Sequence, residues 1–241
     1  MGAERESVIE ALDLTIDAHV HTGFAAGRDS VGVVVSAADQ AGLTALTFAD
    51  QVGPETTWLS AYADAVRRAR QRTEMTLRVA AEVEVVQPDG WLAWPTDLGH
   101  LEAVSVAVSR LPLNHGLYAP REVRAMLTTG ELTPEQVAEG LVTATVQGLQ
   151  RASRYAPTQL ARPLSLLAQV GLDDAVITPD LAAAFASACR ETGTLVEISE
   201  AWRCPSARLV ALLRAAHVTL VPASDARYAA EVGHWQYVRR V

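Results

Sequence analysis

Apolar positions along the chain fall into short runs that alternate with longer stretches of helical spacing, the order expected when parallel strands are joined by helical crossovers. Residues Leu14–Val20 read as a strand, Val33–Gln40 as a helix ended by Gly42, and Leu43–Phe48 as the next strand. Trp58–Arg72 has helical spacing, with arginines on one face and Ala, Val and Tyr on the other. Leu77–Val86 and Ala103–Val108 read as strands, and residues 110–152 as mainly helical with loops. Within that region Thr133-Pro134 is a helix start, since threonine caps and proline suits the first turn. Leu164–Val170 fits either helix or strand. Thr178–Thr192 reads as a helix closed by Gly193, Leu195–Ile198 as a strand, Ser206–Ala216 as a helix and Val218–Val221 as a strand.

About seven strand–helix units in one chain favour a closed barrel over an open sheet. The expectation is an α/β protein, a seven-stranded TIM-like barrel, with residues 1–241 forming a single domain, because no linker-like segment, repeat or change of composition divides the 241 residues.

Charge narrows the partners. A formal net charge of -8 argues against nucleic-acid binding and against anionic membrane surfaces, both of which need a concentrated positive field. No apolar run approaches membrane-spanning length. All 20 basic residues are arginine, which excludes a Walker-type phosphate loop, a pyridoxal Schiff base and a lysine nucleophile. Cys189 and Cys204 are too few for a disulfide framework, and the start MGAERESVIEAL lacks a signal-peptide pattern, so a cytoplasmic protein with reduced thiols is expected.

The strongest chemical signal is Asp17-Ala18-His19-Val20-His21 at the end of the first strand. Alternate residues of a strand share a face, so Asp17, His19 and His21 project together, and two imidazoles held this way form half of a metal site. Asp17 could orient one of them. The competing reading is two unrelated histidines near a strand end.

These residues also carry a family resemblance. DAHVHT at 17–22, SAADQAGL at 36–43, TFADQ at 47–51, AAEVEV at 80–85, RPLSLL at 162–167, LVEIS at 195–199 and PASDARYAAEVG at 222–233 resemble, in order and spacing, the motifs of the polymerase-and-histidinol-phosphatase (PHP) family. The resemblance implies a distorted (β/α)7 barrel with up to three divalent metals at the C-terminal ends of the strands. It also implies metal-assisted phosphoester hydrolysis, in which the ions activate water and stabilise charge on phosphoryl oxygens.

The departures from the family pattern are specific. Gln51, Ser109, Arg162 and Arg227 stand where the family has histidine ligands, although at the fourth strand a shift onto Arg110 is also consistent. The positions that the resemblance assigns to one metal are kept, as His19, His21, Glu82 and Asp225. One divalent ion, Zn, Mn or Fe, is therefore expected instead of three. Asp50, or Glu84 on the same strand as Glu82, is the candidate base, with Glu84 alternatively a supporting carboxylate. Arg162 and Arg227, with Gln51 and Arg110, are the candidate contacts to a small anionic substrate, because a guanidinium presents a fixed charge and a forked donor set. The plainer reading has both arginines in salt bridges with Asp50, Glu84 or Glu200.

Cys204 reads as a packing residue before a ligand or nucleophile, His115 as a loop histidine, and Trp91 and Trp94 as rim packing or a pocket wall. Two further functions compete with a phosphoesterase-like hydrolase: a metal-dependent lyase, cyclase or C–N/C–O hydrolase, and a catalytically silent barrel that binds a ligand. A homodimer contact could cover the C-terminal end of the barrel, where the family resemblance implies a further helix.

Overall fold

The computed structural model describes residues 12–241; the start of the chain, read above as lacking a signal-peptide pattern, lies outside them. Strand β1 (Ile16–Val20) leads into helix α1 (Val31–Gln40), which Ser30 caps by accepting the Val33 amide. Strand β2 (Ala45–Val52), helix α2 (Leu59–Arg70) and strand β3 (Thr76–Glu84) follow, and then strand β4 (Ala103–Ala107). Next come a short hairpin, β5 (Leu111–Leu113) with β6 (Gly116–Tyr118), and two helices, α3 (Pro120–Thr129) and α4 (Pro134–Ala152). Strand β7 (Thr158–Leu160), helix α5 (Ser165–Val170), helix α6 (Pro179–Glu191), strand β8 (Leu195–Ser199), helix α7 (Ala207–Ala215) and strand β9 (Leu220–Ala223) complete the order.

Seven strands form one parallel sheet in the order β1-β2-β3-β4-β7-β8-β9, and the hairpin stands apart. The sheet curls until its first and last strands meet: Val20 bridges Ala226 in parallel, Asp225 N donates to His19 O at 2.9 Å and His21 N donates to Ala226 O at 2.9 Å. The molecule is thus a nearly closed seven-stranded barrel within a single domain, as the pattern of alternating elements predicts.

Two features escape the apolar pattern. Thr158-Gln159-Leu160 is too short and too polar to read as a strand, yet it fills the gap between β4 and β8. The β5–β6 hairpin lies in the region expected to be helix and loop, and it packs on α4. The ambiguous segment Leu164–Val170 resolves as a helix.

Alternation along the strands divides inside from outside. In β3, Ala81 and Val83 face the helical layer with Leu141, Leu149 and Val196, whereas Ala80 joins Ala49 and Ala103 in a small cluster of alanines. Next to these small residues the strands carry buried polar side chains: His19, Glu82, Ser105, Gln159 and Glu197. A polar group buried without partners costs several kcal/mol, so a barrel that keeps so many must pair them with one another or with a ligand. Among the described residues no helix is long and apolar enough to cross a membrane.

Candidate metal centre

His19 comes from β1 and His21 from the loop just after it, Glu82 from β3, and Asp225 from the turn after β9. One donor atom from each of His19, His21 and Glu82 lies within 4.8 Å of the others, and all three side chains are buried. Asp225 joins them through His21, whose Nε2 lies 2.9 Å from Asp225 Oδ1. Asp50, at the end of β2, reaches the other side of that ring, its Oδ1 3.7 Å from His21 Nδ1. It is held there by the amide of Thr22, which donates to Oδ1 at 2.8 Å, and by the Thr22 hydroxyl on Oδ2.

The residue that orients His19 is Glu197, which the sequence reading did not single out. Glu197 Oε1 lies 2.7 Å from His19 Nδ1, and the same carboxylate accepts from Gln159 Nε2 at 2.6 Å, Ser105 Oγ at 3.2 Å and the Arg162 amide at 3.1 Å. His19 Nε2 is thereby turned toward Glu82 Oε2, 3.4 Å away. A glutamate between Val196 and Ile198 in the buried strand LVEIS was the available signal, since a buried carboxylate needs partners. Asp17, expected to hold an imidazole, instead accepts the amides of Ser224 at 2.9 Å and of His19 and Gly233 at 3.3 Å. Its work is on the backbone at the β1–β9 seam, and burial, only partly offset by these bonds, pushes its carboxyl up to about 6.

Arg162, expected as a substrate contact or in a salt bridge with Asp50, Glu84 or Glu200, takes a different partner. It is buried in the same cluster and forks onto Glu82, with Nη1 2.5 Å from Oε2 and Nη2 2.6 Å from Oε1. Nη2 also donates to Ser109 Oγ at 2.7 Å, and Trp202 lies under the guanidinium, 5.4 Å from Cζ to the ring centroid. The Arg162 partner is thus Glu82, not Asp50, Glu84 or Glu200. Glu200 is occupied by the amides of Gln236, Tyr237 and Val238.

The remaining candidates lie at the rim. Gln51 is exposed and donates from Nε2 to Glu82 Oε1 at 3.1 Å. Glu84 accepts the amides of Ser109 at 2.8 Å and Arg110 at 3.1 Å, and burial raises its pKa despite those bonds. Arg110 and Arg227 are exposed, and neither guanidinium has a hydrogen bond or ion pair among the described residues. The structure therefore gathers Arg162, and not Arg227 or Arg110, into the cluster. His115 is exposed at the hairpin tip, and Cys204 is buried, with burial raising its thiol pKa well above the ordinary value.

Electrostatically, four buried carboxylates (Asp50, Glu82, Glu197 and Asp225) face one buried guanidinium and two imidazoles. Burial opposes charge on His19, but the ion pair and hydrogen bond with Glu197 and the charges of Asp225 and Glu82 outweigh it and push His19 up to about 10. Burial likewise opposes charge on Glu82 and Asp225. Arg162 overrides it at Glu82, and the His21 hydrogen bond with the charges of His19, His21 and Arg162 overrides it at Asp225, so both stay below the ordinary carboxylate range.

The donor set suits a divalent ion. Two imidazoles and two carboxylates are ligands for Zn, Mn or Fe(II), and the excess of buried negative charge favours a cation. Two buried polar atoms of the cluster, His21 Nδ1 and Asp225 Oδ2, have no hydrogen-bond partner among the described residues. Backbone strain gathers here as well: Arg162 at φ 35° and Asp225 at φ 54° hold left-handed conformations that cost non-glycine residues about 1–3 kcal/mol each and cluster at functional sites.

No family model matches the sequence, and no curated protein sequence does. Solved structures do. A protein described as a histidinol phosphatase from Listeria monocytogenes superimposes with a TM-score of 0.72 at 11% identity, over 91% of this chain and 97% of that one. A histidinol phosphate phosphatase from Lactococcus lactis subsp. lactis, crystallised with zinc, L-histidinol and phosphate, gives a TM-score of 0.65 at 12% identity, over 93% of this chain and 92% of that one. At this identity the likeness is one of fold: the chain shares the nearly closed parallel barrel of these two structures.

Proposed function

We propose that the protein is a metal-dependent, phosphoesterase-like hydrolase of a small anionic substrate, with one divalent ion held by His19, His21, Glu82 and Asp225. The observation that carries this reading is the convergence of two imidazoles and two carboxylates from β1, β3 and the β9 turn into one buried cluster with unpartnered donor atoms. When bound, the ion would supply Lewis acidity, polarising a substrate oxygen and lowering the pKa of water. The zinc, histidinol and phosphate in the similar Lactococcus lactis barrel suit the same chemistry.

This chain's own residues supply the rest. Glu197 fixes the His19 ring, so that Nε2 points to the inside of the cluster, 3.1 Å from Ala49 O and 3.4 Å from Glu82 Oε2. Asp50, beside His21, is the carboxylate placed to accept a proton, at Oδ1. Arg162 provides the buried positive charge for an anionic group, and its Nη2 already spans Glu82 and Ser109. Glu84, committed to the amides after β4, supports the wall of the site instead of acting as a base.

One observation favours a second reading. The Arg162 fork occupies both oxygens of Glu82, which also suits a metal-free barrel whose charge balance is internal and whose function is ligand binding. Metal analysis of the purified protein, followed by a panel of phosphomonoesters, separates the two. About one Zn, Mn or Fe per chain, lost on His19→Ala together with hydrolysis, is the expected result. Protein without metal and without metal-stimulated turnover would leave the binding barrel.

A further inference from the structure

Arg162 sits inside the donor cluster, not beside it. Its Nη1 is 2.5 Å from Glu82 Oε2 and 3.7 Å from Asp225 Oδ2. The first of these oxygens also approaches His19 Nε2 to 3.4 Å, and the second is one of the two unpartnered polar atoms of the cluster. One end of the guanidinium therefore faces both carboxylates of the donor set. Ser109 and Trp202 hold the group on its other sides, and its own amide is tied to Glu197.

We propose that Arg162 is the resident cation of this site and competes with a divalent ion for Glu82 and Asp225, so that metal binding requires the guanidinium to leave Glu82. The inference rests on the metal-site reading above. A carboxylate has lone pairs enough for two partners. Two positive charges a few ångströms apart among buried groups nevertheless repel strongly, and an arginine, unlike a histidine or lysine, cannot shed its proton to relieve that repulsion. The resting protein then binds metal more weakly than its four donors alone would.

The test is calorimetric titration of Zn2+ and Mn2+ into the wild type, Arg162→Gln and Arg162→Lys, with melting temperatures recorded with and without metal. Removing the fork should tighten metal binding in Arg162→Gln by at least about tenfold, the factor expected when a charge-assisted hydrogen bond no longer has to be broken. The metal should also raise the melting temperature of this variant more than that of the wild type. Arg162→Lys keeps a positive charge beside Glu82 and carries the test should the glutamine variant fail to fold; lacking the fork, it too should bind more tightly than wild type. Wild type that binds metal, with neither variant binding it more tightly, overturns the competition while the metal site stands. Metal-free wild type with metal-binding Arg162→Gln upholds the competition and removes the metal from the native enzyme. Absence of binding in all three proteins overturns both.

Discussion

At the scale of the residue, the site depends on what lies behind its donors. Glu197 touches no outward-facing donor atom, yet it sets the His19 ring through a 2.7 Å contact. Removing such a supporting carboxylate typically costs 10–100-fold in metal affinity, so Glu197→Gln should weaken metal binding by about tenfold or more while circular dichroism stays unchanged. Glu82 is tied to Arg162 in a buried pair, and deleting one member of such a pair costs about 3–5 kcal/mol. Glu82→Ala should therefore lower the midpoint of urea unfolding, whereas Glu84→Gln, at a partly buried rim position, should lower it much less. The motifs DAHVH, TFADQ, AEVEV and SDAR made His19, His21, Asp50, Glu82 and Asp225 legible in the sequence, whereas Glu197, which contacts His19, was not. Arg162 was legible as a charge but not as the partner of Glu82, because the separation of 80 positions between them is bridged only by the fold.

At the scale of the element, strands and helices with regular apolar spacing were legible to within a few residues, and those whose reason is tertiary were not. Strand β7 shows why: Gln159 lies there because it donates to Ala18 O and Glu197 inside the barrel, and no periodicity encodes that. Loops and helices that brace the strands can be tested with glycines. A Cβ at Gly27 would come within 2.7 Å of the His21 carbonyl carbon, whereas one at Gly90, at φ 82°, would come within 2.3 Å of the Gln147 backbone in α4. Both alanine variants should lose at least about 1 kcal/mol of stability, since a close backbone contact must shift. Only Gly27→Ala, which moves the end of β1, should also weaken metal binding, and parallel melting and metal-titration measurements on the two variants check the distinction.

At the scale of the whole molecule, the barrel is joined where β1 meets β9, and Asp17 anchors that seam by accepting the amides of Ser224 and Gly233. Asp17→Ala leaves these donors unpaired, at about 1–3 kcal/mol for each buried group. Amide hydrogen exchange should then speed up at His21 and Asp225, whose amides bond across the seam, ahead of the amides in β3 and β4. The C-terminal segment packs close by: Trp235 is buried against Ile198, Val210 and Val238 and donates to Leu14 O at 3.1 Å, a contact that no strand–helix pattern foretells. The same seam governs when the site can come into being. Its donors include His19 near the beginning of the chain and Asp225 near its end, so a nascent polypeptide emerging from the ribosome has only fragments of the cluster until the last strand is released. On the proposed ligand set metal loading is a late event in biogenesis, and arrested chains ending before Ser224, which lack Asp225, should bind the ion more weakly than the full chain.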